Sequence, residues 1–269
     1  TRFGRLLNRR EKKKMKKSIY AFAFAGALFC TTNAFAQLQD EKNVTVTMDL
    51  QPILQLNMNT SDQVSFVFDD MSDYYGGITK YGATILTVSS TVNWDLYAVG
   101  TSTNGLFWDN PMTYGAGTDP LAVRDLPLEL LELHQNQANL GAAGATGAEV
   151  DYSSTFQSTA TLVQGQNNIY ASTTPYVLPA AGEKYIQGHF AATDFAAGGS
   201  YLTNVGAALT SIYYYTIDYR IIPGLPAIFP AAGDNAGTGL DLVTVNGAGS
   251  YAQPGVYTMN VKYVLLENQ

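Results

Sequence analysis

Tyr213-Tyr214-Tyr215-Thr216-Ile217-Asp218-Tyr219-Arg220-Ile221 is the stretch whose pattern decides the fold. Tyr213, Tyr215, Ile217, Tyr219 and Ile221 alternate with Tyr214, Thr216, Asp218 and Arg220. A period of two sends successive side chains to opposite faces of an extended chain, so the stretch reads as a half-buried antiparallel strand. The same period recurs elsewhere. Val44, Val46, Met48 and Leu50 alternate with Thr45, Thr47 and Asp49. Val64, Phe66 and Phe68 form a second set, and Val92, Trp94, Leu96 and Ala98 a third. Tyr257, Met259, Val261, Tyr263 and Leu265 form a fourth near the C-terminus. Helical signals are confined to residues 126–133, where the leucine spacing fits a strand with one bulge better than a short helix. Turn-rich stretches lie at 74–77, 141–147, 196–200 and 223–239, and residues 141–147 are predicted as a mobile loop. Many short strands, frequent turns and no helix alternation predict an all-β fold, an antiparallel β-sandwich with long Gly/Asn/Asp-rich loops.

The N-terminal residues read as a targeting segment. Met15-Lys16-Lys17 precedes an apolar run over 19–29, and Ala34-Phe35-Ala36 precedes Gln37. A positive start, a short apolar centre and a small-x-small exit predict a secretory signal peptide. The run is far shorter than the roughly 20 residues a membrane span needs. Residues 1–36 are therefore expected to be an N-terminal extension and cleaved signal peptide. Residues 37–269 are read as a single β-sandwich domain; two sheet pairs meeting near 141–147 are the other arrangement. The basic residues before Met15 read as upstream sequence or an extended leader, in preference to a nucleic-acid-binding arm. Export is expected to take the mature chain out of the cytoplasm, as a secreted or cell-surface protein, with the periplasm as the other location.

Removal of the leader changes the charge. Nine of the 15 Lys and Arg residues and one of the 22 acidic residues lie before residue 18, leaving six basic and 21 acidic residues, a net −15. Such a chain repels nucleic acid and anionic membrane faces. Its single cysteine, Cys30, falls in the leader, so no disulfide framework is expected. Signals for catalysis are sparse. The two histidines, His134 and His189, have no metal-ligand spacing around them, and no Gly-x-Ser-x-Gly elbow occurs. The chain reads as a non-enzyme, with a hydrolase assembled from distant residues as the remote alternative.

Three landmarks occur in order: residues 44–50 running into Gln51-Pro52-Ile53-Leu54, the single-Trp stretch from Val88 to Tyr97, and the closing stretch from Pro254 to Leu266. This order resembles bacterial surface β-sandwich proteins of the WxL-like and fimbrial-subunit or spore-coat-U types. Trp94-Asp95-Leu96 stands where the WxL type carries Trp-x-Leu, and Lys262-Tyr263-Val264 stands where its second copy would lie. The resemblance implies a non-catalytic envelope or extracellular protein. A single Trp on an alternating strand reads first as a core anchor, and Trp94 is expected to be one.

Three surfaces are candidates for binding. Asp69, Asp70 and Asp73 in one turn, and Asp234 and Asp241 in another, offer carboxylates to calcium, the one cofactor the sequence suggests. Asx turns that cap their own backbone explain both stretches without metal. Tyr74 and Tyr75 beside Gly76 offer rings to a glycan, while Tyr213, Tyr215 and Tyr219 read as core. Val44, Val46, Met48 and Leu50 have the spacing of a strand that pairs with a neighbouring subunit, or of an ordinary edge strand. The expected partner is a second copy or another surface protein, with glycans as the alternative.

Overall fold

A computed structural model describes residues 41–115, 119–139, 151–157, 167–180, 183–188, 196, 198–205, 208–211, 213–229 and 241–267. The leader and residues 141–147 lie outside the described residues, as do Asp234 and His189. The chain divides into two units, Thr1–Asp49 and Leu50–Gln269. Of the first, only residues 41–49 are described; they are exposed and belong to no strand.

The second unit is built from strands: β1 (Leu54–Met58), β2 (Ile78–Ser90), β3 (Trp94–Thr101), β4 (Asp109–Thr113), β5 (Ala122–Val123), β6 (Glu132–Gln135) and β7 (Gly199–Ser200), followed by β8 (Leu202–Val205), β9 (Ala208–Ser211), β10 (Tyr214–Ile221), β11 (Tyr251–Ala252), β12 (Gly255–Thr258) and β13 (Asn260–Glu267). The largest sheet runs β1-β2-β10-β6, with β7 joining one end of β2. The antiparallel pairs β13–β3, β12–β4 and β8–β9 form separate ladders, and among the described strands the two-residue pair β11–β5 alone is parallel. The fold is all-β, as its period-two patterning predicts. Helix is limited among the described residues to single turns at Met71–Gly76 and Leu242–Asn246 and a 3-10 turn at Leu128–Leu130.

β2 is the spine of the large sheet. It pairs with β1 along Leu54↔Ser90 to Met58↔Leu86 and with β10 along Tyr214↔Thr87 to Ile221↔Ile78. Between the pairs Ile217↔Thr84 and Tyr219↔Lys80 the register shifts, and β2 carries two extra residues. Gly82 sits in this bulge with φ +59°, a conformation that favours glycine. Its N–H donates to the Asp218 carboxylate at 2.6 Å, so the donor lost from the ladder is satisfied.

One core draws from both main ladders. Leu86, Val88, Leu133, Tyr215 and Ile217 of the large sheet pack with Trp94, Leu96 and Ala98 of β3. Trp94 meets Tyr213 edge-on, with ring centroids 4.8 Å apart. The opposite face of β3 is buried too: Tyr97 and Val99 pack with Tyr185 and Val264. The expectation of a polar outer face on this strand is therefore corrected. The stretch 185–187 runs beside β3, with Leu96 N–H bonded to the Gln187 carbonyl at 2.8 Å, and covers Asp95 and Tyr97.

Three other expectations are corrected. Residues 44–50 form no strand in the described structure, and residues 64–68 are extended without ladder pairing, although Phe66 and Phe68 still pack on the core. Residues 126–133 are a 3-10 turn leading into β6, in place of a bulged strand. The C-terminal stretch breaks at Met259: β12 pairs with β4, and β13 pairs with β3.

The buried Trp94 Nε1–H meets no acceptor among the described residues. Trp94→Ala is expected to cost about 3–5 kcal/mol. Trp94→Phe is expected to cost less than ~2 kcal/mol, because it keeps a ring against Tyr213 and removes an unsatisfied donor. Urea unfolding of both variants checks this; equal losses would show that the indole nitrogen is paired.

Candidate functional site

β1 lies at one end of the large sheet's order, and β13 has β3 as its one ladder partner among the described residues. A strand at a sheet edge leaves every second N–H and C=O outside its ladder. A groove of about 590 Å³ lies along these two edges. Its lining is mainly apolar, with Leu54 and Leu56 from β1 and Val264, Leu265 and Leu266 from β13. Leu56 and Leu265 also reach the main core. Tyr263 buries its hydroxyl against that of Tyr219 while its ring lines the groove. The site is thus an extension of the core that opens to solvent between two strands, each with a single ladder partner among the described residues.

Upstream of β1 lies the segment 44–50. Val44, Val46, Met48 and Leu50 are 84%, 85%, 77% and 81% exposed. Large apolar side chains at this spacing and exposure are unusual on a monomer surface. Their spacing matches the side-chain repeat of the strands that flank the groove.

The acidic turns act as helix caps. Asp70 accepts from Ser72 N–H at 2.9 Å, and Asp73 accepts from Asp70 N–H at 3.3 Å, a reciprocal capping box for the turn Met71–Gly76. The Ser72 amide lowers the Asp70 pKa. Asp241 accepts from Thr244 N–H at 2.7 Å and caps Leu242–Asn246. Asp69 is exposed beside the first cap. No group of three or more His, Cys, Asp or Glu side chains among the described residues is placed to hold a metal ion. Of the two candidate sugar platforms, Tyr74 packs at a tilt against Phe68, with ring centroids 5.3 Å apart, and is half-buried, while Tyr75 is 66% exposed.

Buried charge appears where single-strand patterns gave no warning. Arg220 and Glu132, directly opposite on β10 and β6, make a two-pronged ion pair at 2.6 and 3.1 Å. Phe156 lies over the guanidinium at 4.4 Å. Two pairs along, on the same face, Asp218 bonds His134 Nδ1 at 2.9 Å. The complementary order Glu-x-His and Asp-x-Arg on two alternating stretches was the available signal. Lys184 is fully buried, donates to the Asn168 carbonyl at 2.9 Å, and lies 5.5 Å from the centre of the Tyr152 ring.

No protein-family model matches the chain, and no curated protein matches it. Among the described residues no helix is long and apolar enough to cross a membrane.

Burial pushes Lys184 from 10.5 down to about 8, against the pull of Glu183, Glu129 and Glu132. Burial pushes Tyr97 and Tyr257 up to about 12 and holds Tyr152, Tyr215 and Tyr263 well above 10. Between pH 8 and 10.5 the unfolded chain keeps a Lys184 proton that the folded chain releases, so this group's contribution to stability rises with pH. From about pH 9 unfolded tyrosines begin to ionise while these five stay protonated in the fold, and their combined loss overtakes the single Lys184 gain, so stability falls. The unfolding free energy is expected to peak at about pH 9. Lys184→Met should abolish the rise and keep the fall; a rise that survives the substitution would remove Lys184 as its cause.

Proposed function

We propose that this chain is an exported, non-catalytic structural or adhesive protein of the bacterial cell surface, a fimbria-like β-sandwich subunit that assembles by strand pairing. In this reading residues 44–50 of one copy enter the groove between β1 and β13 of the next. Main-chain hydrogen bonds to the two edges supply affinity, and Val44, Val46, Met48 and Leu50 supply the alternating apolar contacts. The observation that carries the proposal is the exposure of these four side chains in a chain that also has an apolar groove between strand edges. The resemblance to fimbrial-type surface proteins, and a leader of secretory type, support the same reading. So does the engagement of polar groups in structural roles: Asp70 and Asp241 cap helices, Arg220 pairs with Glu132, and Asp218 secures both His134 and the β2 bulge.

Light scattering on residues 37–269 is expected to show large or open-ended particles, and on residues 51–269 a monomer. Leu56→Arg or Leu265→Arg should also give monomers, because each puts a charge into the apolar groove. Calcium is expected to leave particle size unchanged, since the described aspartates already serve as caps. A clean monomer for residues 37–269, or particles that persist without residues 37–50, would overturn strand pairing through this segment.

A further inference from the structure

A second concavity, of about 440 Å³, lies at one end of the β3–β13 ladder and differs in chemistry from the apolar groove. Its polar lining comes from Thr101, Ser102, Thr103, Ser172, Thr173 and Asn260. Among the described residues Lys262 is the one charged member of the lining, and no carboxylate shares it. That is an unusual composition for a chain whose residues 37–269 carry a net −15, from six basic and 21 acidic residues. Asp109, which bonds the lining residue Thr103, has both oxygens engaged by the Thr103 amide and hydroxyl, at 3.1 and 2.6 Å. The walls are held by their own bonds: Thr101 Oγ1 donates to the Asn260 carbonyl at 3.4 Å, and Ser172 and Thr174 hydroxyls meet at 3.2 Å. The Thr173 hydroxyl and the Asn260 amide make no hydrogen bond among the described residues.

Tyr176 stands beside this trough. It is 72% exposed, and the Lys262 ammonium lies 5.5 Å from its ring centre. The backbone on either side of it is anchored. The buried Tyr97 hydroxyl donates to the Pro175 carbonyl at 2.8 Å, with the Val177 carbonyl at 3.4 Å. An exposed ring on an anchored backbone loses little conformational freedom when it contacts a ligand. Flat apolar sugar faces stack on such rings, hydroxyl and amide groups bond sugar hydroxyls, and an ammonium bonds a carboxylate.

We infer that Tyr176, Lys262 and the Thr101–Asn260 trough form a binding site for an acidic pyranose, a uronic acid unit of a polysaccharide. Tyr176 contacts the ring, Lys262 the carboxylate, and Thr173 and Asn260 the hydroxyls. The site is separate from the Tyr74–Tyr75 turn and does not rest on the strand-pairing reading.

Affinity electrophoresis of residues 37–269 in gels containing polygalacturonate or neutral dextran tests this at about 0.15 M salt, where charges beyond ~8 Å are screened. Retention by polygalacturonate is expected, with none by dextran. Lys262→Gln and Tyr176→Ala should each weaken it about tenfold or more, a change of ~1.4 kcal/mol. Lys262→Arg should retain binding, and Tyr75→Ala should leave it unchanged. Circular dichroism verifies folding, and light scattering on the same variants separates sugar loss from assembly loss, since Lys262 and Tyr176 also border the apolar groove. No retention by polygalacturonate, equal retention by dextran, or retention indifferent to Lys262→Gln would each overturn the inference.

Discussion

The contact of Trp94 with Tyr213 joins the β3–β13 ladder to the large sheet, and most of the core is arranged around it. Tyr213 immediately precedes β10, the strand between β2 and β6, and Trp94 opens β3. Once these rings meet, the alternation of β3 fixes which residues enter the shared core, and Leu96 and Ala98 follow Trp94 inward. Tyr97 and Val99 must then face outward, where water would meet them. The stretches 175–178 and 185–187 cover that face, and the Tyr97 hydroxyl is satisfied by the Pro175 carbonyl. Long connections thus become structural parts of the fold, because β3 is apolar on both faces.

A similar constraint operates at the polar layer of β10 and β6. Asp218 and Arg220 point away from the core that Ile217 and Tyr219 enter, yet both are buried. A buried charge is tolerable when each of its hydrogen-bonding sites is met. Glu132 and the Gln157 carbonyl meet Arg220; His134 and the Gly82 amide meet Asp218. The bulge in β2 therefore has a chemical reason. It turns one backbone N–H out of the ladder and toward a carboxylate that would otherwise lack a partner.

The period-two pattern made the class of fold legible, and it placed Tyr213, Tyr215 and Tyr219 inside correctly. It failed where local pattern is a poor guide to pairing. Residues 44–50 and 64–68 carry the alternation of strands but lie outside every ladder, because alternation specifies which faces are apolar and says nothing of an available edge. Residues 126–133 misled through their leucines, which serve two cores: Leu126 and Leu130 pack with Leu242, while Leu131 and Leu133 join the main cluster. The groove was illegible because it forms from β1 and β13, some 200 residues apart in sequence. The trough beside Tyr176 escaped notice for the same reason, and because serines and threonines in turns carry no distinctive spacing.

An exposed alternating segment and an open groove have an energetic logic together. Burying four side chains such as Val44, Val46, Met48 and Leu50 contributes on the order of 6–12 kcal/mol. Ordering seven backbone residues costs about 7–14 kcal/mol. Apolar burial alone therefore comes close to cancelling, and the outcome turns on backbone hydrogen bonds. A segment added to one exposed edge gains a single ladder, with half of its N–H and C=O groups still in water. A segment laid between β1 and β13 gains a ladder on each side, away from water, where such bonds count for more. A groove bounded by two strand edges thus discriminates between casual edge-to-edge sticking and insertion of a matched strand. In the proposed assembly, only a site that offers both edges and apolar pockets at the strand repeat would repay the ordering of the chain.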